Sequence, residues 1–590
     1  MSLSLPATSR RAVVLSVSLA LLLGGCTPDD GDEAPPRDMA SEAAAAAEDV
    51  FEALSEADES ALSELSDPVD AGRIIDVLEA SIEDGEITDV GFSVSGEPSI
   101  EPETGDSDLS SSPTAPSAEA SVPYEVAWTS EIGGDTTTFS GELLLSEAGD
   151  GWMPRLGGAA QLFPGVPGAK GWAVGFKWLP RGRILDRHGA VLAKGSSESR
   201  SYPQGSTAGT TIGHLGVLTA KDVEDGALGA PGDVVGASGL EGSFQERLAG
   251  TPERRLALVD RKGRKIETVA RDEGALGKDL KTTLDLQVQR AAEAAYGGTV
   301  GGSVIMKPQT GDLLAVVSSS PFDPNGYVGA ADVEPFNRAL SGLYPPGSAM
   351  KVMTAAGALD SKTVTASTIV TGPAEYQGVR NFESGEFGSI PFSSAVKFSV
   401  NTAFAQVAED MGAKKLTQYA EAFGFNAEPD IDFASTSSFP FPDDLGDLMW
   451  ASVGQAQTLA SPMQMASVAA TIANGGRRME PRIAMHIEPH GKRAVSAKVA
   501  ATMTTLMESV VEGGTGVNAQ IAGVRVAGKT GTAEVDVGGE RKNHAWFVAF
   551  APAGAPVLAV SVVSEYGGVG GQVAAPLARS IMQSVLPLLP

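Results

Sequence analysis

Cysteine is almost absent from this chain: Cys26 is the only one in 590 residues, which removes disulfide frameworks and cysteine-rich metal sites from consideration. Histidine is scarce as well, and the five present show no pair at metal-ligand spacing. No glycine-rich loop leads into Lys and Ser or Thr as a phosphate cradle does, so no metal or cofactor is expected. Basic charge is short: 43 Lys and Arg stand against 74 Asp and Glu, a formal net charge of -31. Nucleic acid is thereby disfavoured, because phosphate binding needs clustered basic side chains that release counterions. The acidity itself reads as a solvated surface. A bilayer-crossing run is also missing at the amino terminus, where Ala12 to Leu23 gives twelve residues and a spanning helix needs about 20.

What is present begins with an export signal: Arg10 and Arg11, that apolar run, then Gly24 and Gly25 before Cys26. Leu23-Gly24-Gly25-Cys26 resembles a bacterial lipobox. The resemblance implies removal of residues 1–25, acylation of Cys26 and a lipid anchor at the extracytoplasmic face of a bacterial membrane. Residues 26–40 are acidic, contain proline and hold few large apolar side chains, so they read as a tether.

At ordinary domain sizes a chain this long divides into three or four units. Apolar residues at helical spacing (Val50, Phe51, Leu54, Leu62, Leu65) predict amphipathic helices from Ser41 to about Asp70, with another over Arg73 to Glu83. Alternation near Tyr124 to Trp128 and Thr136 to Leu145 predicts antiparallel strands. The Ser, Pro and acidic stretch from Ser99 to Ser121 reads as a disordered hairpin insertion. Farther on, Arg181-Gly182-Arg183-Ile184-Leu185-Asp186-Arg187-His188-Gly189 is a charged turn feeding a strand.

The chemistry centres on Ser348-Ala349-Met350-Lys351, which follows Pro345-Pro346-Gly347 and opens an apolar run, predicting a helix that begins near Ser348. Positions i and i+3 share a helix face, so the Ser348 hydroxyl and the Lys351 amine can be neighbours. A serine is a weak nucleophile and needs a base; a lysine in apolar surroundings can supply one, since desolvation penalises its charged form. Taken alone the pattern means little, because Ser394-Ala395-Val396-Lys397 repeats it. What sets the first copy apart is its company: Ser399-Val400-Asn401 and then Lys529-Thr530-Gly531.

This ordered trio resembles the signature of penicillin-binding proteins and serine β-lactamases. Val379-Arg380-Asn381, Ser452-Val453-Gly454-Gln455, Ser461 to Ala466 and Ala473 to Gly476 extend the likeness to the transpeptidase branch. The segments at Arg181 and at Gly239-Leu240-Glu241 resemble the pedestal or dimerisation domain of the class B, monofunctional members. Trp152 to Pro164 looks like the exit of the nuclear transport factor 2-like domain that some of them carry. The implied fold is multidomain α+β: a nuclear transport factor 2-like unit over 41–165, a β-rich pedestal over 166–295, and over 296–590 a transpeptidase-like α/β sandwich, an antiparallel sheet flanked by helices.

The resemblance also implies roles. Ser348 is acylated by a D-Ala-D-Ala stem peptide or a β-lactam, with Lys351 as its base. Ser399 relays a proton to the leaving amine, Asn401 holds the substrate amide and orients the lysine, and the backbone N–H groups of Ser348 and Thr532 form the oxyanion hole. By their own chemistry, Lys529 adds positive charge for a substrate carboxylate, Thr530 and Thr532 offer hydroxyls, and Gly531 leaves room for close approach to a strand. That strand is expected to include Val524, Val526 and Ala527 and to lie at a sheet edge. His544 reads as structural. About 125 residues lie between the tether and the pedestal, too few for a glycosyltransferase domain at ordinary size, which leaves a separate membrane glycosyltransferase as an expected partner. A β-lactamase or DD-carboxypeptidase, and a silent penicillin-binding scaffold or sensor, stay open as alternatives.

Overall fold

A computed structural model describes residues 37–102, 118–149, 151–327 and 335–590. The export signal, Cys26 and most of the expected tether lie outside the described residues. The rest falls into two compact units.

The first unit extends to Gly168, apart from residues 81–88 and 129–136, which belong to the second. It opens with helices α1 (Met39–Ser55), α2 (Glu59–Leu65) and α3 (Pro68–Asp84). Asp38 and Asp58 cap the first two by accepting hydrogen bonds from Ser41 N and Ala61 N, so the chain turns helical at Met39, inside the expected tether. The strands are β1 (Ile87–Val94), β2 (Ser99–Pro102), β3 (Ala118–Ser130), β4 (Thr136–Ala148) and β5 (Gly151–Pro154), in the order β1-β3-β4-β5 with β2 beside β3. Helices followed by a sheet match the α+β expectation. The stretch expected to be disordered from Ser99 to Ser121 is a correction at both ends: Ser99 to Pro102 pairs antiparallel with Ala118 to Ser121. Composition predicted it poorly because ladder hydrogen bonds, which any side chain permits, hold those residues. At the exit, the carbonyls of Gln161 and Leu162 accept hydrogen bonds from the Tyr124 hydroxyl (2.8 Å) and the Trp128 indole (3.1 Å), and Phe163 stacks on Trp128.

The second unit continues from Ala169 to Pro590. Its leading part carries a three-stranded antiparallel sheet of β6 (Gly171–Lys177), β7 (Glu253–Val259) and β8 (Lys265–Asp272), with β7 in the middle. The charged turn at Arg181 feeds Ile184–Leu185, which pairs with Val191–Ala193 and with Leu280–Lys281. Beneath it Glu241 is wholly buried between two arginines: Arg181 Nε donates to it at 2.9 Å and Arg200 Nε at 2.6 Å.

Helix α4 (Leu286–Tyr296) leads into a five-stranded antiparallel sheet. Its strands are β9 (Gly301–Met306), β10 (Leu313–Ser318), β11 (Ala527–Val537), β12 (Glu540–Ala551) and β13 (Leu558–Ser564), in the order β10-β9-β13-β12-β11. Strand β12 is apolar without alternation from Ala545 to Ala551 because both faces are covered. Trp546, Val548 and Phe550 face one core, and Phe547, Ala549 and Ala551 face another with α4 and the carboxy-terminal helix Ala574–Val585. The helix Pro462–Ala473, capped by Ser461, is buried along nearly its whole length. Lys529-Thr530-Gly531 lies on β11, the edge strand expected; Val524 falls in the turn before it.

Removing Glu241 strands two buried guanidinium groups without their counter-charge. Glu241→Ala is expected to destabilise the pedestal by about 3–5 kcal/mol, read as a lower denaturant midpoint for the far-ultraviolet signal, while Glu241→Gln loses less.

Candidate active site

Ser348 sits in a 3-10 turn, Gly347–Met350, and the α-helix proper, α5 (Lys351–Asp360), starts three residues later than the sequence suggested. The difference favours the site, since residues i and i+3 eclipse one another in a 3-10 turn. The backbone around Ser348 is crowded enough to dictate its residues. Gly347 has φ +52°, and a Cβ there would lie 2.6 Å from the Thr532 carbonyl oxygen. A Cβ on Gly454 would lie 2.2 Å from the Gly347 oxygen. The Gly347 N–H donates to the Gly454 carbonyl at 2.8 Å, and the Trp546 indole to the Pro345 carbonyl at 3.0 Å.

The room that Gly531 leaves is occupied by the protein itself. A Cβ there would meet the Pro346 oxygen at 2.7 Å and the Ala349 nitrogen at 3.0 Å. Gly531 therefore lets the Ser348 turn lie against β11, a different reason from the close approach of substrate expected above. It also brings the backbones of Ser348 and Thr532 into one small space, as a shared oxyanion pocket requires.

Ser399 is placed by the second Ser-x-x-Lys segment. That segment forms helix α6 (Phe392–Lys397) and ends in a Schellman closure: Val400 N donates to Ala395 O (2.9 Å) and Ser399 N to Val396 O (3.2 Å). Ser399 takes the left-handed position, φ +57°, where glycine is usual. Its hydroxyl accepts from Lys529 Nζ at 2.8 Å and from Lys351 Nζ at 3.2 Å. Lys351 Nζ donates also to the Ser399 carbonyl (2.8 Å) and to Asn401 Oδ1, and it faces the Phe404 ring at 5.1 Å. Asn401 is held in turn by its Nδ2, which donates to the Arg380 carbonyl at 2.7 Å.

Both lysines are buried, and among the described residues no carboxylate pairs with either. Desolvation, followed by the charge of Lys529, pushes Lys351 far below the ordinary lysine range, and desolvation lowers Lys529 to about 7. Burial thus disposes both lysines to give up a proton, Lys351 more strongly than Lys529, which suits Lys351 to act as the base. Among the described residues no hydrogen bond joins the Ser348 hydroxyl to Lys351; the lysine spends its donors on Ser399 and Asn401.

Ser348, Ser399, Asn401, Thr530 and Thr532 line one cleft of about 560 Å³. Thr530 Oγ1 is 2.7 Å from Thr515 Oγ1, and Thr532 Oγ1 accepts from Gly570 N at 3.1 Å. Residues that sequence reasoning missed also line it: Thr515, Trp450, Phe382, Phe387 and Phe398. Thr515 follows two glycines in a turn and carries no pattern of its own. The exposure of Phe382 and Phe398 depends on the fold. His544 is buried beside Tyr344, its Nδ1 accepting from Tyr566 N at 3.2 Å, in keeping with a structural part.

Residues 301–583 match the model of the penicillin binding protein transpeptidase domain, and residues 195–282 that of the penicillin-binding protein dimerisation domain. A peptidoglycan D,D-transpeptidase PbpA of Mycobacterium tuberculosis is 34% identical over 376 residues, 55% of this chain and 76% of that one. The chain belongs to the class B penicillin-binding proteins. A second relative, the peptidoglycan D,D-transpeptidase MrdA of Acinetobacter baumannii, is 29% identical over 441 residues, and the match spans 65% of each chain. The solved penicillin G acyl-enzyme complex of penicillin-binding protein A from M. tuberculosis aligns with 69% of this chain and 99% of its own, TM-score 0.56 at 29% identity. A structure of PBP2 from Pseudomonas aeruginosa covers 70% and 96%, TM-score 0.60 at 28% identity. These likenesses cover the pedestal and catalytic parts of a penicillin-binding protein, the same region that holds the cleft.

The two lysines set the pH response. Acylation by a β-lactam is expected to fall on the acid side as Lys351 gains a proton, and on the alkaline side as Lys529 loses its own, near 7 in the free protein. A pH profile of the second-order acylation constant checks this, and in Lys529→Ala the slower reaction keeps the acid limb alone. Since the folded pKa of Lys529 is depressed, the unfolded chain binds more protons between about 7 and the ordinary lysine value of 10.5, and this site's stability contribution rises with pH across that window.

Proposed function

We propose that the chain is a peptidoglycan DD-transpeptidase whose nucleophile is Ser348. The observation that carries the reading is the meeting of Lys351 and Lys529 on the Ser399 hydroxyl at the mouth of the Ser348 turn. The Ser348 oxygen attacks the carbonyl carbon of the penultimate D-Ala of a stem peptide, and its proton passes to neutral Lys351. Charge on the resulting oxyanion is met by the backbone N–H groups of Ser348 and Thr532. Ser399, connected to both lysines, hands a proton to the departing nitrogen, so terminal D-Ala leaves as a free amine and an acyl-ester stays on Ser348. An amine of a neighbouring stem then attacks the ester, loses its proton through the same relay, and returns the serine. Lys529, Thr530 and Thr532 take the terminal carboxylate of the donor stem or that of a β-lactam. The lactam amide opens by the first half of this sequence, but its amine remains tethered.

The anchoring is part of the proposal. Cys26 carries the lipid that holds the enzyme at the outer face of the membrane, where it works on strands delivered by a membrane glycosyltransferase. Support comes from the lipobox and from its being the one cysteine in the chain. The amino-terminal unit is proposed to be of nuclear transport factor 2-like type, supported by its helices-then-sheet order.

Intact mass after incubation with benzylpenicillin decides the chemistry: a stable adduct of one drug molecule is expected on the unmodified chain and on Ser394→Ala, and none on Ser348→Ala. No adduct on the folded, unmodified protein overturns the reading, and one lost within seconds points to a β-lactamase. Anchoring is checked by growing the producing bacterium with labelled palmitate, which is expected to mark the full-length chain and not Cys26→Ala.

A further inference from the structure

Four residues before the nucleophile, Tyr344 is fixed from three directions. Its backbone N–H and C=O both pair with Ala460, at 3.0 and 2.9 Å. Its ring meets His544 and Trp546 edge-on, with centroids 5.3 and 6.1 Å away. Its hydroxyl donates to Glu565 Oε1 at 2.6 Å, and the same oxygen accepts from Arg338 Nε at 2.9 Å. Glu565 immediately follows β13, and its backbone N–H donates to the Val300 carbonyl at 2.8 Å, so the carboxylate is fixed to the central sheet. Burial and then the hydrogen bond to Glu565 push the Tyr344 hydroxyl above the usual phenol range, which keeps it a donor.

Beyond its packing against β11 and Gly454, few hydrogen bonds hold the segment from Tyr344 to Gly347. Pro345 and Pro346 lack an N–H, and Gly347 occupies the left-handed region. Its other hydrogen bonds include those from Trp546 to the Pro345 carbonyl, from Ala349 N to the Pro346 carbonyl (3.3 Å) and from Gly347 N to Gly454. Among the described residues, the hydrogen bond from Tyr344 to Glu565 is the link from this lead-in to a carboxylate beside the sheet. Its geometry is rigid at both ends, while the Ser348 hydroxyl has no hydrogen-bonded partner of its own among the described residues to hold it.

The geometry points to Glu565 and Tyr344 as positioning residues that set where the Ser348 oxygen stands relative to Lys351 and the Thr532 N–H, with Arg338 holding the carboxylate in place. None of the three lines the cleft, so they act on the rate of the acylation step and leave the initial fit of the ligand alone. The inference rests on Ser348 being the nucleophile.

The test is stopped-flow acylation by benzylpenicillin, resolved into a non-covalent dissociation constant and a first-order acylation constant, on the full chain and its variants. Tyr344→Phe keeps the ring packing and loses only the bond to Glu565; its acylation constant is expected to fall about tenfold, as small displacements of a reacting group do, with the dissociation constant within about twofold and the thermal midpoint nearly unchanged. Glu565→Ala is expected to match it, and Glu565→Gln, which keeps an acceptor, to recover most of the rate. An unchanged acylation constant in folded Tyr344→Phe overturns the inference, as does a loss confined to the dissociation constant. If Glu565→Ala fails to fold, Tyr344→Phe decides alone. Absence of any acylation in the unmodified chain overturns the reading of Ser348 instead.

Discussion

The site depends on one serine hydroxyl shared by two buried lysine amines. Ser399 Oγ accepts from Lys351, on the first turn of α5, and from Lys529, on the edge strand β11. Two like charges in a buried pocket disfavour one another, since desolvation and mutual repulsion both favour giving up a proton. The fold thus lowers the proton affinity of two lysines that, among the described residues, pair with no carboxylate. Everything around it serves to bring three distant stretches of chain to this point: the glycines at 347, 454 and 531 that allow close backbone contact, and the buried helix Pro462–Ala473 beneath the sheet.

Much of this was legible in the sequence. The ordered motifs of Ser348, Lys351, Ser399, Asn401 and Lys529 stood out together in the sequence, and the structure brings all five to one place. The buried strands were visible because a continuous apolar run such as Ala545 to Ala551 has few other uses. Less legible was anything set by contacts between remote segments. Thr515 reaches Thr530, and Glu565 reaches Tyr344, across long stretches of chain with no local pattern. The helical run expected near Ser348 is present, but that its first turn is 3-10 in form, Gly347–Met350, has no local signal in the sequence. The pairing of Ser99 to Pro102 was hidden by a composition that ordinarily means disorder, and only the partner strand gives those residues structure.

The pedestal solves a different problem. Its buried Glu241 receives two arginines from segments far apart in the chain, which fixes the path of the charged turn where a small domain has little apolar area to do so. The same turn reaches the catalytic part: Asp186 accepts from Leu286 N (3.3 Å), Arg187 lies 3.7 Å from Asp312, and Arg482 donates to Asp312 at 2.6 Å. Pedestal and transpeptidase sheet are therefore continuous in their polar contacts as well as in sequence.

The Schellman closure at the end of α6 puts two physical demands on one residue. Its backbone at position 399 suits glycine, whereas catalysis needs a hydroxyl there, so the residue is a compromise between two demands on one Cα. The repeated Ser-x-x-Lys segment is then neither relic nor decoy, since its helix aims that hydroxyl. A glycine at 399 would relax that backbone and at the same time take away the one hydroxyl on which both lysines converge, so steadiness of the turn and integrity of the lysine pair pull in opposite directions at a single Cα.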